Sequence, residues 1–173
     1  MESRKKDKTM SLQFMKAGTA DALVLNAISK RAFDSDVQVG APSAGGPPGY
    51  MSLKYHMKMA RSGYLFKLTE NGLIMGGAIL FRKGDTLNIG RVFIDPQHFR
   101  KGYGILMMRE IEAMFPDVKA FTLDTPVWNT RTTPSTPDWD TRKWNEIPTL
   151  FTMPKNVKGG AENVATLTFP GTL

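Results

Sequence analysis

Two basic residues and two glycines stand together where a predicted strand gives way to a predicted helix, as Arg100, Lys101, Gly102 and Gly104. The first N–H groups of a helix have no partner within it, and the helix dipole adds roughly half a positive charge there. The glycines let an anion approach these N–H groups and permit a positive φ. The pattern therefore predicts a site for a phosphate-bearing ligand.

Two common phosphate motifs do not match this turn. No Gly-Lys-Ser/Thr follows, so it is not a P-loop, and the third glycine of the dinucleotide fingerprint is absent. The glycines also have a purely structural interpretation, in which they serve only the tight turn into the helix.

The apolar periodicity places this turn in a fold of mixed class. It predicts strands at 12–16, 64–70, 73–81, 86–94 and 119–123, and helices from a Thr19 cap to about Asp34, at 51–61 and at 105–115. Asn71-Gly72 is a strong hairpin signal, so the middle strands form an antiparallel meander. The order β-α-α-β-β-β-α-β indicates an α+β domain whose mixed, mostly antiparallel central sheet is flanked by helices and followed by an atypical C-terminal tail.

The segment 34–50 is rich in glycine and proline and is too long for a simple connection. We expect a loop that faces the substrate, and its part from Gly40 to Tyr50 is predicted to lack regular hydrogen-bonded structure and to be mobile in the free protein. The alternative is a floppy insertion without a function.

The composition limits the classes of protein and site. The 173 residues suit one domain, and with no Cys and only two His, disulfides and thiolate sites are excluded and no metal site is predicted. No apolar run approaches the ~20 residues of a membrane span, and no signal peptide is visible, so a cytoplasmic protein without a membrane partner is predicted. Residues 1–10 contain a short basic cluster and are predicted to be a disordered tail, with a binding arm as the alternative.

The stretch Arg91-Val92-Phe93-Ile94-Asp95-Pro96, followed by Arg100-Lys101-Gly102-Tyr103-Gly104, resembles the acetyl-coenzyme A signature of the GNAT acetyltransferase superfamily. The order of elements is also that of the family, and the resemblance covers about residues 11–132. Phe99 departs from the pattern, because the family usually has Arg or Gln at this position, and we expect this residue to contribute through its backbone N–H.

The resemblance implies that acetyl-CoA lies in a V-shaped gap between two neighbouring strands and that an amine attacks it directly. The pantetheine arm would pair with the strand near Phe93 and Ile94, and Asn129 would also contact it. The pyrophosphate would lie on the amides that begin the helix. The cofactor-binding residues so implied are Phe93, Ile94, Phe99, Arg100, Lys101, Gly102, Tyr103, Gly104, Ile105 and Asn129.

The candidates for a catalytic base are few. Asp124 ends the strand that follows the cofactor helix, and His56 lies on the second helix, in the wall that often faces the acceptor. Asp34 and Asp36 flank the end of the first helix. Each carboxylate has an alternative interpretation as a cap or a solvated group, and His56 is expected to be exposed.

Residues 133–173 depart from the family pattern. In the family a Phe-Tyr pair soon follows the stretch that is Asn129-Thr130-Arg131 here, and its Tyr often protonates the CoA thiolate. Shifting the frame of permitted codons for residues 134–146 gives Phe-Tyr-Thr-Arg-Leu-Gly-Tyr-Lys-Lys-Val-Glu and a stop, in which Asp138-Trp139-Asp140 force the Leu and the Gly. We expect a frameshifted replacement of the last helix and strands. A genuine divergent tail, with a strand at 163–169, is the alternative.

The sequence therefore predicts an acetyl-CoA-dependent N-acetyltransferase that acts on a primary amine of a small molecule or peptide, with a homodimer left open. One alternative is a catalytically impaired acyl-CoA-binding relative. Another is a small basic nucleic-acid-binding protein, with which the net charge of +7 is consistent. The basic residues lack interleaved exposed aromatic residues, which makes nucleic acid the weaker partner.

Overall fold

A computed structural model describes residues 11–126 and 164–170, with the backbone alone at 125–126 and 164–170. The strands are β1 (Leu12–Lys16), β2 (Leu65–Glu70), β3 (Leu73–Lys83), β4 (Thr86–Ile94), β5 (Ala120–Pro126) and β6 (Val164–Pro170). The helices are α1 (Ala22–Asp34), α2 (Leu53–Arg61) and α3 (Tyr103–Met114). The strands form one sheet in the order β1-β2-β3-β4-β5-β6. Neighbours are antiparallel except for the parallel pair β4–β5, so the predicted α+β fold class is confirmed.

The tight turns form where glycine makes a left-handed backbone possible. Asn71 and Gly72 have φ values of 51° and 82° and join β2 to β3, as the hairpin signal predicts. Gly84, with φ 59°, joins β3 to β4. These turns set the register of the meander that carries the site.

The two faces of the sheet bury separate groups of apolar side chains. On the face covered by α3, Leu87 and Ile89 pack with Met107 and Ile111 of the helix. On the opposite face, the core consists of side chains from α1, α2 and the strands beneath them, namely Ala17, Leu25, Ile28, Ala32, Met59, Leu65, Ile79 and Phe93.

A bulge at Gly90 interrupts β4. Ile79 pairs with Arg91 and Leu80 pairs with Ile89, so Gly90 is an extra residue without a partner on β3. One extra residue reverses which face the following side chains occupy. Leu87 and Ile89 before the bulge consequently face α3. After the bulge, Arg91 and every second residue from it, such as Phe93, face α1 and α2.

Strands β4 and β5 separate beyond the bulge. They pair from Thr86–Ala120 to Ile89–Leu123 and no further, although β4 continues to Ile94 and β5 continues to Pro126 along β6. The edge of β4 at residues 90–94 that faces away from β3 therefore has no strand partner among the described residues. This opening is the gap that the sequence resemblance implies.

Some boundaries differ from those expected. A short 3-10 turn, Thr19–Asp21, precedes α1, and it is the Asp21 carboxylate that accepts the Gly18 N–H at 2.9 Å, so Thr19 is not the cap. Ser52 caps α2 by accepting the Tyr55 N–H at 3.2 Å. The strand predicted at 163–169 is confirmed as β6, which extends the sheet beyond residue 132. The predicted tail at 1–10, Asn129, and most of the segment 133–173 lie outside the described residues.

Candidate active site

The first turn of α3 has backbone amides without a helical acceptor, and none of the described residues supplies one, as the sequence predicts. Arg100 and Gly102 have left-handed φ values of 62° and 82°. The first backbone hydrogen bond of the helix runs from the Leu106 N–H to the Gly102 carbonyl, at 3.0 Å. The N–H groups of residues 103–105 precede this bond and therefore have no helical acceptor.

The space beside these amides is open. Apart from the adjacent residues and the nearby backbone of α3 itself, a Cβ atom added at Gly102 or at Gly104 would meet no atom of the described residues within 4 Å. The left-handed backbone explains the glycine at 102, but neither backbone nor packing explains the one at 104. By contrast, a Cβ atom at Gly76 would lie 2.3 Å from the Phe93 carbonyl oxygen. The space at 102–104 is therefore open to a ligand, and a purely structural role explains Gly102 but not Gly104.

Asp95 fixes the start of this turn. Its carboxylate accepts the Gln97 N–H at 3.3 Å and pairs with Arg31 of α1 at 2.5 Å. Burial alone would raise the pKa of Asp95, but the bonds from Arg31 and Gln97 hold it below its ordinary value. An ionised Asp95 thereby ties the end of β4 to α1.

The aromatic residues of the turn point away from the open space. The Tyr103 side chain is buried, and its hydroxyl donates to Glu70 at 2.6 Å. The Phe99 side chain packs against the core on the α3 face. The Phe99 N–H donates to the Pro96 carbonyl at 3.2 Å, so the expectation that this amide is available to the ligand is wrong. The one-turn helix at Pro96–His98 uses it.

Phe93 and Ile94 border the gap through their backbone alone. Their side chains are buried on opposite faces of the sheet, Phe93 under α1 and α2 and Ile94 on the α3 face. Their other edge pairs with Gly77 and Gly76 of β3. The Phe93 carbonyl oxygen points toward Gly76 of β3, so the main-chain groups of Ile94 are the ones on the open edge that are available to an extended ligand arm.

His56 is fully buried, so its expected exposure is wrong. His56 and Met59 lie on the face of α2 that packs against the sheet. The His56 ring is edge-on to the Phe93 ring, with centroids 6.2 Å apart. Nδ1 lies 2.9 Å from the Ser52 carbonyl and donates to it, which leaves a lone pair on Nε2. Burial lowers the pKa of His56, and the charge of Arg91 lowers it further. Nε2 has no hydrogen-bond partner among the described residues.

The carboxylate candidates occupy different places. Asp124 is exposed on β5, one residue past the last β4–β5 pair, and so lies at the mouth of the gap. Asp34 is engaged by Lys30 at 2.5 Å and by the Tyr50 hydroxyl at 2.9 Å. The bond from Lys30 lowers the pKa of Asp34, which makes it a poor base. Asp36 is buried in a 3-10 turn.

Arg91 is a functional candidate that the sequence reasoning missed. It is 7% exposed, and its Nη2 donates to the Pro48 carbonyl at 3.0 Å. The guanidinium carbon lies 4.9 Å from the centroid of the Tyr55 ring. Nε and Nη1 have no acceptor among the described residues. The only available signal was the glycine before it, which marks the bulge.

The segment 35–52 is more ordered than its composition suggests. Residues 35–39 form a 3-10 turn, and the N–H groups of Tyr50 and Ser52 donate to Pro47 and Gly49 at 3.0 Å. A Cβ atom at Gly46 would lie 2.7 Å from Phe33. From Gly40 to Tyr50 the chain forms no helix or strand, as expected, although single turn hydrogen bonds occur there. The Pro48 carbonyl places this loop beside Arg91.

No membrane-crossing helix is found in the part of the chain that the structure describes, since none there is both long and apolar enough. Within the same residues, no group of three His, Cys, Asp or Glu side chains is arranged to hold a metal ion.

Solved acetyltransferases share this fold. The PaiA N-acetyltransferase of Thermoplasma acidophilum, in complex with coenzyme A, is 11% identical, with 92% of this chain and 98% of that chain covered and a TM-score of 0.63. The ribosomal-protein-S18-alanine N-acetyltransferase of Escherichia coli is 15% identical, with coverage of 94% and 96% and a TM-score of 0.62. The diaminobutyrate acetyltransferase of Paenibacillus lautus, in complex with L-2,4-diaminobutyric acid and coenzyme A, is 14% identical, with coverage of 94% and 96% and a TM-score of 0.57.

The sequence itself also identifies the family. None of the curated proteins compared with this chain matches it. The model of the acetyltransferase (GNAT) family, however, matches residues 35–134, which is more than half of the chain and includes the bulge, the gap and the glycine turn. The chain therefore belongs to the GNAT acetyltransferase family.

Proposed function

We propose that this protein transfers an acetyl group from acetyl-CoA to a primary amine of a small molecule or peptide by direct attack. The observation that carries the proposal is the separation of β4 and β5 beyond the pair Ile89–Leu123, which leads to the open glycine turn of α3. A thioester arm and a pyrophosphate require a slot and an anion site in this order. The solved complexes of related fold that contain coenzyme A support the same assignment.

The residues present fit coenzyme A at both ends. The amides of residues 103–105 and the charges of Arg100 and Lys101 would hold the pyrophosphate, with Gly102 and Gly104 leaving room for it. The free edge of β4 at Ile94, next to Phe93, would hold the pantetheine arm. Tyr103 would contribute its backbone N–H alone, since its side chain faces the core, and Phe99 would have a supporting role, since its N–H is also used. Asn129 keeps its proposed contact with the arm.

Acetyl-CoA held here would supply the acetyl group, whose carbonyl carbon would bond to the amine nitrogen as its bond to sulfur breaks. Beside the Gly90 bulge, β4 has main-chain groups that no β5 residue occupies. A backbone N–H there would donate to the carbonyl oxygen, where negative charge develops. The bulge places this donor on a rigid strand.

The amine must lose a proton during attack. His56 can accept it at Nε2, because its Nδ1 proton is held by Ser52 and its pKa is lowered by burial. Asp124, at the exposed mouth of the gap, is the second candidate and would act through water. The departing sulfur also needs a proton, and no tyrosine follows Tyr103 in the chain. This lack favours the alternative of a relative that binds coenzyme A but turns it over slowly.

Calorimetry with coenzyme A tests the proposal, using Gly104→Trp. The new side chain would occupy the open space at the amides, and we expect coenzyme A affinity to fall at least tenfold without loss of thermal stability. Gly18→Trp is the matched control, since Gly18 lies at the N-terminal end of the 3-10 turn before α1 and its added Cβ, apart from its chain neighbours, has no heavy atom of the described residues closer than 3.9 Å. Equal affinity in Gly104→Trp and the parent chain would contradict the assigned anion site, and no binding by the parent chain would contradict the function.

A further inference from the structure

Arg91 carries a buried charge that its surroundings only partly compensate. Its guanidinium has five N–H donors, but the described residues supply one carbonyl oxygen, from Pro48, and one aromatic face, from Tyr55. No carboxylate of the described residues lies within 4.0 Å of it. A buried charge without a counter-charge is costly, so this arrangement favours a negatively charged ligand.

A role restricted to support of the neighbouring loop does not account for this residue. One hydrogen bond to the Pro48 carbonyl needs only a neutral donor, and apolar side chains of similar volume often replace buried charges without loss of stability. His56 provides a second observation at the same place. It too is fully buried, it has an unpartnered nitrogen, and its pKa responds to the charge of Arg91. Two buried polar side chains with unused hydrogen-bonding atoms therefore lie together.

The position of Arg91 relative to the proposed reaction is fixed by the bulge. Arg91 follows Gly90 directly, where the open edge of β4 begins, and it faces α1 and α2 because its register partner is Ile79. The pyrophosphate site belongs to α3, on the other face of the sheet. An amine that reaches the thioester from the face opposite α3 would pass Arg91, Tyr55 and His56.

We infer that Arg91 binds a carboxylate of the acceptor, so that the acceptor is a primary amine that also carries a carboxylate, as a free amino acid or an acidic peptide. This inference rests on the proposed acetyl transfer. The carboxylate would complete the hydrogen bonds of Nε and Nη1 and hold the amine near the open edge of β4. These nitrogens are shielded from solvent, so entry of the acceptor would require a neighbouring segment, such as that of Pro48, to move.

Matched sets of amines test the inference by release of free thiol from acetyl-CoA. Each set contains an acid, its amide and the amine without the carboxyl group, such as lysine, lysinamide and 1,5-diaminopentane, and short peptides with and without a free carboxylate distinguish peptides from amino acids. We expect kcat/KM for the acid to exceed that of the amide at least tenfold. Arg91→Gln should bring this ratio close to one, and Arg91→Lys should restore part of it. Arg82→Gln is the control, since Arg82 pairs with Asp117 on the surface.

A binding measurement keeps the test decisive if turnover is slow. In the presence of coenzyme A, the acid should raise the unfolding temperature of the parent chain more than its amide does, and Arg91→Gln should abolish the difference. Equal effects of acid and amide on the parent chain, in turnover or in unfolding temperature, would overturn the inference. The affinity of the parent chain for coenzyme A distinguishes failure of this inference from failure of the proposed function. Normal affinity without acid selectivity rejects the carboxylate site alone, whereas no affinity in the parent chain rejects the proposed function.

Discussion

Single residues of the site owe their chemistry to burial. His56 would be an ordinary solvent-exposed base on an isolated helix, but packing against Phe93 removes it from water and favours its neutral form. The Ser52 carbonyl then fixes the tautomer. The same packing that makes Nε2 a proton acceptor also couples His56 to the stability of the fold.

We therefore predict that stability falls on mild acidification through His56. Its pKa is lowered in the folded state from the ordinary 6.5, so below about pH 6.5 the unfolded chain binds a proton that the folded chain does not. The free energy of unfolding should decrease from pH 6.5 downward, by at most about 1.4 kcal/mol per pH unit, until the folded pKa is reached. Denaturant titrations between pH 7.5 and 5.5 measure this slope.

His56→Gln should flatten this slope, whereas His98→Gln should keep it. The carboxylates whose pKa is lowered by ion pairs, such as Asp34 and Asp117, start from a value of 3.8 and lose their contribution at lower pH. An unchanged slope in His56→Gln would show that another group causes the pH dependence.

Glycine has two different roles in the elements that position the site, one in strand β3 and one in helix α3. Gly76 allows β3 to lie close to β4 opposite the proposed pantetheine path, because any Cβ atom there would meet the Phe93 carbonyl. A Cβ atom added at Gly104, in the first turn of α3, would have no other residue's atom within 4 Å beyond its chain neighbours and the nearby backbone of the helix. Packing of the fold requires the first glycine, and the proposed ligand requires the second.

Alanine at these two glycines should have opposite effects on stability. Gly76→Ala should lower the free energy of unfolding by about 1–3 kcal/mol or more, because the clash is with backbone and cannot be relieved by a rotamer change. Gly104→Ala should raise it by up to about 1 kcal/mol, because alanine is the better helix former. Thermal and urea unfolding of the two variants measure both effects. A destabilised Gly104→Ala variant would indicate a packing role that the structure lacks.

At the scale of the whole molecule, the sheet closes with a strand from the unusual C-terminal segment. The backbone of β6 pairs with β5 from Val164–Pro126 to Pro170–Ala120. The frameshift hypothesis nevertheless stays a prediction, since it concerns the family Phe-Tyr pair that residues 134–146 lack. The frame concerns the fold as well as catalysis, because the restored chain would stop before residue 164 and would lack the β6 that pairs with β5 here.

Restoring one base near the codons of Thr133 and Pro134 would give a chain that ends in Phe-Tyr-Thr-Arg-Leu-Gly-Tyr-Lys-Lys-Val-Glu. We expect this chain to turn over acetyl-CoA about 10²- to 10⁴-fold faster, which is the usual contribution of a positioned proton donor. Thiol release with the amine sets described above measures the difference, and calorimetry with coenzyme A shows whether the restored chain, which lacks β6, still binds the cofactor. Equal turnover would mean that another residue protonates the sulfur.

The sequence by itself determined the features that depend on neighbours along the chain. Asn71-Gly72 and Gly102 adopt the left-handed backbone that glycine and asparagine permit. The spacing of apolar residues predicts the helices and strands, and the turn at 100–104 with the strand before it identified the family. Hydrogen bonds and sterics within a few residues decide all of these.

Only the tertiary structure decided which side chains face inward at the site. The bulge at Gly90 moved Arg91 into the protein, α2 packing buried His56, and a one-turn helix used the Phe99 N–H. Each outcome depends on register or packing between segments far apart in sequence. A shift of one residue in a strand reverses the face of every side chain after it, so these contacts follow from the pairing of β3 with β4 and not from the local pattern.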